Sequence, residues 1–186
     1  MRLIEMFGNT IDWNPVAANP DLTLFNLDRA ANSGTINPKD KAAFSSFLNS
    51  HRSDFVRLYH GTSKKHEVLG SGLLPTSSKR RNSLQSQSGY VYLTYDPQTA
   101  LSFARMGYAG QYKYDLVVYA VEVTIGRLLP DHDQLFNKRM YTDLEIGKSL
   151  ADSLIYGRGA RVKGKIEPHQ VTIYGTYDRN GNPIEN

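Results

Sequence analysis

Along the chain the apolar positions fall into two regimes. Up to residue 50 they recur at helical spacing or irregularly, with Asn, Pro and Ala prominent and few β-branched residues. Asn37 offers an N-cap, Pro38 suits a first helical position and Asp40 puts an acid in the first turn, so a helix is predicted from there. Phe44, Phe47 and Leu48 follow at three- and four-residue spacing on one face, and Asn49 and Ser50 end the pattern. From Asp54 onward the period shortens to two. Phe55 to His60 sets Val56, Leu58 and His60 on one side, and Tyr90 to Thr94 sets Tyr90, Tyr92 and Thr94 together. Leu116 to Ile125 aligns Val117, Tyr119, Val121, Val123 and Ile125, and a last strand is predicted over Val171 to Tyr177, closed by turn chemistry from Asp178 to Pro183. Between the second and third of these strands, Asp96 and Pro97 open a helix that carries Ala100, Leu101, Phe103 and Ala104 and stops at Gly107. The pattern predicts an α+β class, with a helical N-terminal segment over residues 1–50 packed on a sheet-based domain over 51–186.

Composition narrows the chemistry. The 186 residues include no cysteine, so the core must hold without disulfides, and thiolate nucleophiles and cysteine-ligated metals are excluded. Glu5 interrupts the short apolar start, and nowhere do about 18 apolar residues run together, so neither an export signal nor a membrane span is expected and the setting reads as cytoplasmic. The formal charge of +4 is unevenly placed. Residues 63–88 hold Lys64, Lys65, Lys79, Arg80 and Arg81 against Glu67 alone, and Arg158, Arg161, Lys163 and Lys165 follow one another with no acid between them. Segments 64–81 and 158–165 are therefore candidates to face phosphates, whether of a cofactor or of a nucleic acid.

Several familiar motifs fail on inspection. Gly147, Lys148 and Ser149 resemble the end of a phosphate-binding loop, but the glycine required five residues earlier is Thr142. Gly157 and Gly159 lack the strand-to-helix context of a dinucleotide fingerprint and read as a turn. Asp131, His132 and Asp133 are adjacent rather than convergent, which favours a polar loop over a metal site. No metal is expected.

Three segments remain: Tyr59 to Thr62 at a strand end, Gly89 to Thr94 with the helix bearing Phe103, and Lys165 to Tyr174 leading into the final strand. Their order resembles the His–Tyr–acid pattern of diphtheria-toxin-like ADP-ribosyltransferases, which include poly(ADP-ribose) polymerase catalytic domains and the small rifampin ADP-ribosyltransferases. The similarity spans roughly residues 55–183. It implies a split β-sheet core and NAD as co-substrate. It further implies that His60 and Gly61 hold the nicotinamide riboside beside Thr62, and that Tyr92 stacks on nicotinamide. Phe103, eleven residues later, would close the other face. Arg80 and Arg81 would be available to the pyrophosphate. The rifampin enzymes open with the same Tyr-His-Gly-Thr and end much as Arg161 to Glu185 does.

The third position is open. The polymerases carry a Glu at the start of the last strand, where this chain has Gln170; a Gln hydrogen-bonds but is no base. Glu167, three residues earlier, could take the role in a shifted register; Asp131 and Asp133 lie in a stretch similar to the acid-bearing loop of the rifampin enzymes, so the resemblance favours one of these two with Gln170 nearby. The expected activity is mono-ADP-ribosyl transfer to a protein, nucleic acid or small molecule. Two alternative readings make different demands. A tRNA 2′-phosphotransferase-like NAD enzyme would need an Arg-x-His strand where this chain has Tyr90 to Tyr92, and a non-catalytic nucleic-acid-binding module would rely on the two basic segments.

Overall fold

Asn37 caps as its position predicts: its Oδ1 accepts from the Lys39 amide at 2.9 Å, and helix α2 (Pro38–Ser50) follows. Ahead of it, Thr23 Oγ1 accepts from the Asn26 amide at 3.1 Å and starts α1 (Leu24–Asn32). The structure, a computed structural model, describes residues 23–63, 67–76, 86–107, 115–142 and 144–184. These residues form four further helices, α3 (Val68–Ser71), α4 (Pro97–Gly107), α5 (His132–Met140) and α6 (Leu150–Gly157). They also form six strands, β1 (Phe55–Ser63), β2 (Tyr90–Thr94), β3 (Leu116–Thr124), β4 (Leu128–Pro130), β5 (Gly159–Lys163) and β6 (Val171–Tyr177). The class is α+β. By its internal contacts the chain divides into two units, residues 1–57 with 122–160 and residues 58–121 with 161–186. No helix among the described residues is long and apolar enough to cross a membrane.

The first unit is organised around α6, which packs against α1, α2, α5 and β4. Every residue from Ala151 to Tyr156 is buried, including Asp152 and Ser153. A helix covered on all sides shows no apolar stripe, which is why periodicity passes over it. Its start is a capping box: Ser149 Oγ accepts from the Asp152 amide at 3.1 Å while Asp152 Oδ2 accepts from Ser149 at 3.1 Å (amide) and 2.6 Å (hydroxyl). A Cβ at Gly147 would sit 2.3 Å from Asp152 Oδ2, so the Gly147-to-Ser149 stretch that mimics a phosphate loop is a capping structure. Lys41 of α2 pairs with the same carboxylate. Arg158 ends α6 in the left-handed region (φ 56°), the turn expected between Gly157 and Gly159, and its guanidinium reaches the buried Asp28 of α1 at 2.8 Å. The polar loop expected over Asp131 to Asp133 is instead the start of α5. Asp131 supplies the N-cap, a role open to any Asp whose following amides lack acceptors.

In the second unit β5, β2, β1, β3 and β6 lie side by side in that order, and in the first unit β4 flanks β5. β1 and β2 are antiparallel with Tyr59 opposite Thr94; β3 and β6 are antiparallel with a break in register between Val118 and Tyr119. β3 is buried continuously from Leu116 to Val121, on both faces rather than on the one side the alternation emphasised, and Ile125 leaves the strand for a 3-10 turn over Ile125–Arg127. The core of this unit joins Ala100, Leu101 and Ala104 of α4 to Leu116, Val118 and Tyr177, with Tyr59 packed against them.

Candidate functional site

The end of β1 carries His60, Gly61, Thr62 and Ser63, and two neighbouring elements converge on it. His60 Nδ1 lies 2.8 Å from the backbone carbonyl of Tyr92 on β2. A carbonyl only accepts, so Nδ1 carries the hydrogen of this bond. Gly61 faces α4: a Cβ there would fall 1.9 Å from the Ala100 carbonyl oxygen and 3.1 Å from the Ala104 Cβ. This is a glycine kept for close approach between strand and helix. α4 is held in place by Asp96, whose carboxylate accepts from the Gln98 and Thr99 amides at 3.1 Å each and from the Thr99 hydroxyl at 2.6 Å, and the helix packs on β2. Phe103, half-buried, stands one turn beyond Ala100 on that helix. Thus the second unit gathers His60, Gly61, Tyr92 and the helix bearing Phe103. Thr62 is buried beside them, and Ser63, only 2% exposed, has an Oγ with no hydrogen-bond partner among the described residues.

Tyr92 belongs to a polar chain that sequence reasoning missed. Its hydroxyl accepts from the Gln87 amide at 2.7 Å, and the Gln87 side-chain oxygen accepts from Arg161 Nη1. Arg161, on β5, lies over the Tyr90 ring with Cζ 4.2 Å from its centroid. It is 6% exposed, and its Nε is buried with no hydrogen-bond partner among the described residues. The one available signal was the basic run from Arg158 to Lys165, which does not distinguish a buried cation from solvated ones. The structure separates them. Arg158 pairs with Asp28 and Lys165 with Glu167, each at 2.8 Å, Arg161 is buried, and Lys163 is exposed.

The candidates for the third position divide between the units. In the second, Glu167 and Gln170 bracket a 3-10 turn over Pro168–Gln170 at the mouth of β6, and Gln170 Oε1 accepts from the Glu167 amide at 3.3 Å. α3, which Glu67 precedes, packs against this turn and against β6. Burial, followed by the Glu67 carboxylate, pushes the hydroxyl of Tyr119 above the ordinary tyrosine range. In the first unit, Asp131 is 4% exposed, and its Oδ1 accepts from the Asp133 and Gln134 amides at 3.1 Å each. Its own amide donates to Ser153 Oγ at 2.7 Å, and that hydroxyl donates to the Gly159 carbonyl at 2.6 Å. Asp133 lies in the first turn of α5. Arg80 and Arg81, with Lys64, Lys65 and Lys79, lie outside the described residues, as does Glu185.

A separate cleft of about 1110 Å³ opens at the C-terminal end of α4, lined by Arg105, Asp115, Asp178 and Arg179 among others. The side-chain and backbone amides of Asn182 hold the Asp178 carboxyl below the usual range, closing the turn expected after β6. None of the residues selected from the sequence line this cleft.

No family model matches the chain. No curated protein matches it either. Among solved structures, one named EcPltA is a distant structural relative: the match covers 70% of this chain and 82% of that one, at 15% identity and a TM-score of 0.45.

Proposed function

We propose that the protein is a NAD-dependent mono-ADP-ribosyltransferase, built on an ADP-ribosyltransferase-like core, that passes ADP-ribose to a protein, nucleic acid or small-molecule acceptor. The observation that carries this reading is the junction at the end of β1. There His60 is fixed by the Tyr92 carbonyl at 2.8 Å while Gly61 is pressed against the helix that bears Phe103. NAD supplies a nicotinamide–ribose bond whose cleavage develops positive charge on the sugar. The chain's own groups supply what that chemistry requires.

With Nδ1 donating to a carbonyl, the His60 ring is oriented before a ligand arrives, and it is the group we assign to hydrogen-bond a ribose hydroxyl. The rings of Tyr92 and Phe103 offer flat faces to an aromatic leaving group, each stacked pair contributing about 0.5–1.5 kcal/mol beyond its burial. Gly61 lets α4 close onto the end of β1, which sets the helix that bears Phe103 beside His60. The partnerless Ser63 Oγ fits a ligand rich in hydroxyls and phosphate oxygens, since a buried hydroxyl left unpaired costs about 1–3 kcal/mol. At the third position Gln170, beside Glu167, is the residue we assign to hold the ribose. Acceptor binding would draw on the basic segment 64–81 and, within 158–165, on the exposed Lys163.

Incubation of the purified protein with NAD tests this directly. Nicotinamide release is expected, and His60→Ala is expected to reduce it by at least about tenfold, the loss of roughly 1.4 kcal/mol of transition-state stabilisation, while circular dichroism stays native. Equal release from the wild type and His60→Ala would reject the assignment.

A further inference from the structure

Arg161 poses a question that the proposed site does not answer. It is 6% exposed, yet among the described residues no carboxylate forms an ion pair with it. A buried guanidinium is ordinarily paired, because removing it from water costs several kcal/mol that only an anion or a full set of acceptors offsets. Here it has a neutral amide oxygen on Nη1, the Tyr90 ring beneath it, and nothing on Nε. The amide belongs to Gln87, an exposed residue whose backbone is tied to the Tyr92 hydroxyl. A planar cation backed by an aromatic face, its fork closed only by a displaceable neutral group, is chemically matched to a phosphate.

We infer that Arg161 is a phosphate-binding residue and that the Gln87 side-chain oxygen is a placeholder, displaced when a diphosphate group binds. The identity of the carrier, a nicotinamide dinucleotide, rests on the proposed function; the anion site itself does not. Because the same Gln87 donates its amide to Tyr92, the diphosphate and the ring that faces nicotinamide share one residue. Occupancy at Arg161 therefore bears on where Tyr92 sits.

Calorimetric titration of the full chain with inorganic pyrophosphate at low salt tests this. Saturable binding is expected in the wild type. Gln87→Ala removes the competitor and should bind at least about tenfold tighter, since a hydrogen bond made by the charged guanidinium is lost from the free state. Gln87→Glu places a carboxylate on Arg161 and should weaken binding at least about tenfold. Arg161→Gln should abolish it; should that variant misfold, Gln87→Glu decides, since it leaves Arg161 in place on an exposed substitution. Identical binding by the wild type, Gln87→Ala and Gln87→Glu, or none by the wild type at millimolar pyrophosphate, overturns the assignment. The carrier is distinguished by competition: displacement of pyrophosphate by NAD supports a dinucleotide site, whereas displacement by a single-stranded oligonucleotide alone overturns it. Loss of nicotinamide release with the Gln87 pattern intact would refute the transferase and leave the anion site standing.

Discussion

At position 61 an added methyl group has nowhere to go, since the atom it would meet, 1.9 Å away, is backbone and cannot rotate aside. Gly61→Ala is therefore expected to separate β1 from α4 and destabilise the protein by about 1–3 kcal/mol or more, read as a lower urea midpoint. Tyr92 separates ring from hydroxyl. Tyr92→Phe keeps the face and loses the 2.7 Å bond from Gln87, about 0.5–1.5 kcal/mol, so nicotinamide release should fall no more than about tenfold, and Tyr92→Ala should fall further. His60, Gly61 and Tyr92 could be selected from sequence because their order and spacing along the chain resemble a known pattern. Gln87 and Arg161 could not, because a polar residue in a Ser- and Gln-rich stretch and one cation among four carry no mark of what they touch.

The elements show the same division. α2 was legible because its cap, proline and apolar face all lie within thirteen residues. Phe44→Ala, at a side chain with no exposed surface, should cost about 3–5 kcal/mol by chemical denaturation. α5 escaped notice because Leu135 is its one buried residue, and α6 because all of its middle is buried. Burial by itself would raise the Asp152 carboxyl, but the Lys41 ammonium and the Ser149 hydrogen bonds outweigh it and hold the group below the usual carboxylate range. Folding therefore favours the ionised form. Its contribution is complete above the unfolded-state value of about 3.9 and is lost as the pH falls through the lower folded value. Asp152→Asn should lower stability at neutral pH and flatten this acid limb when urea midpoints are measured from about pH 6 down to pH 2.

For the whole molecule, the division of the chain matters more than its charge. A boundary at residue 50 follows the change in hydrophobic period, yet the N-terminal helices belong to a unit that also holds 122–160. α1 and α2 bury Leu24, Leu27, Phe44 and Leu48, and both pack on α6. A chain begun at residue 51 would bare that helix, and it is expected to bind a hydrophobic dye and lose near-ultraviolet circular dichroism rather than fold as an independent catalytic domain. Of the four cations from Arg158 to Lys165, two are paired with carboxylates and one is buried. This stretch should therefore add only about one unit to the salt slope of any nucleic-acid binding, and Lys163→Ala should remove it.

Local chemistry alone determined the helix after Asn37, four of the strands, the helix through Phe103 and the closing turn, because each depends on residues close in the chain. Tertiary structure decided what no short window contains. It buried α6 on every side, made Asp131 a cap, set the Tyr92 carbonyl against His60 and left Arg161 inside the protein with a neutral partner. Those outcomes depend on which distant surfaces meet, and on the high cost of a buried polar group once water is gone.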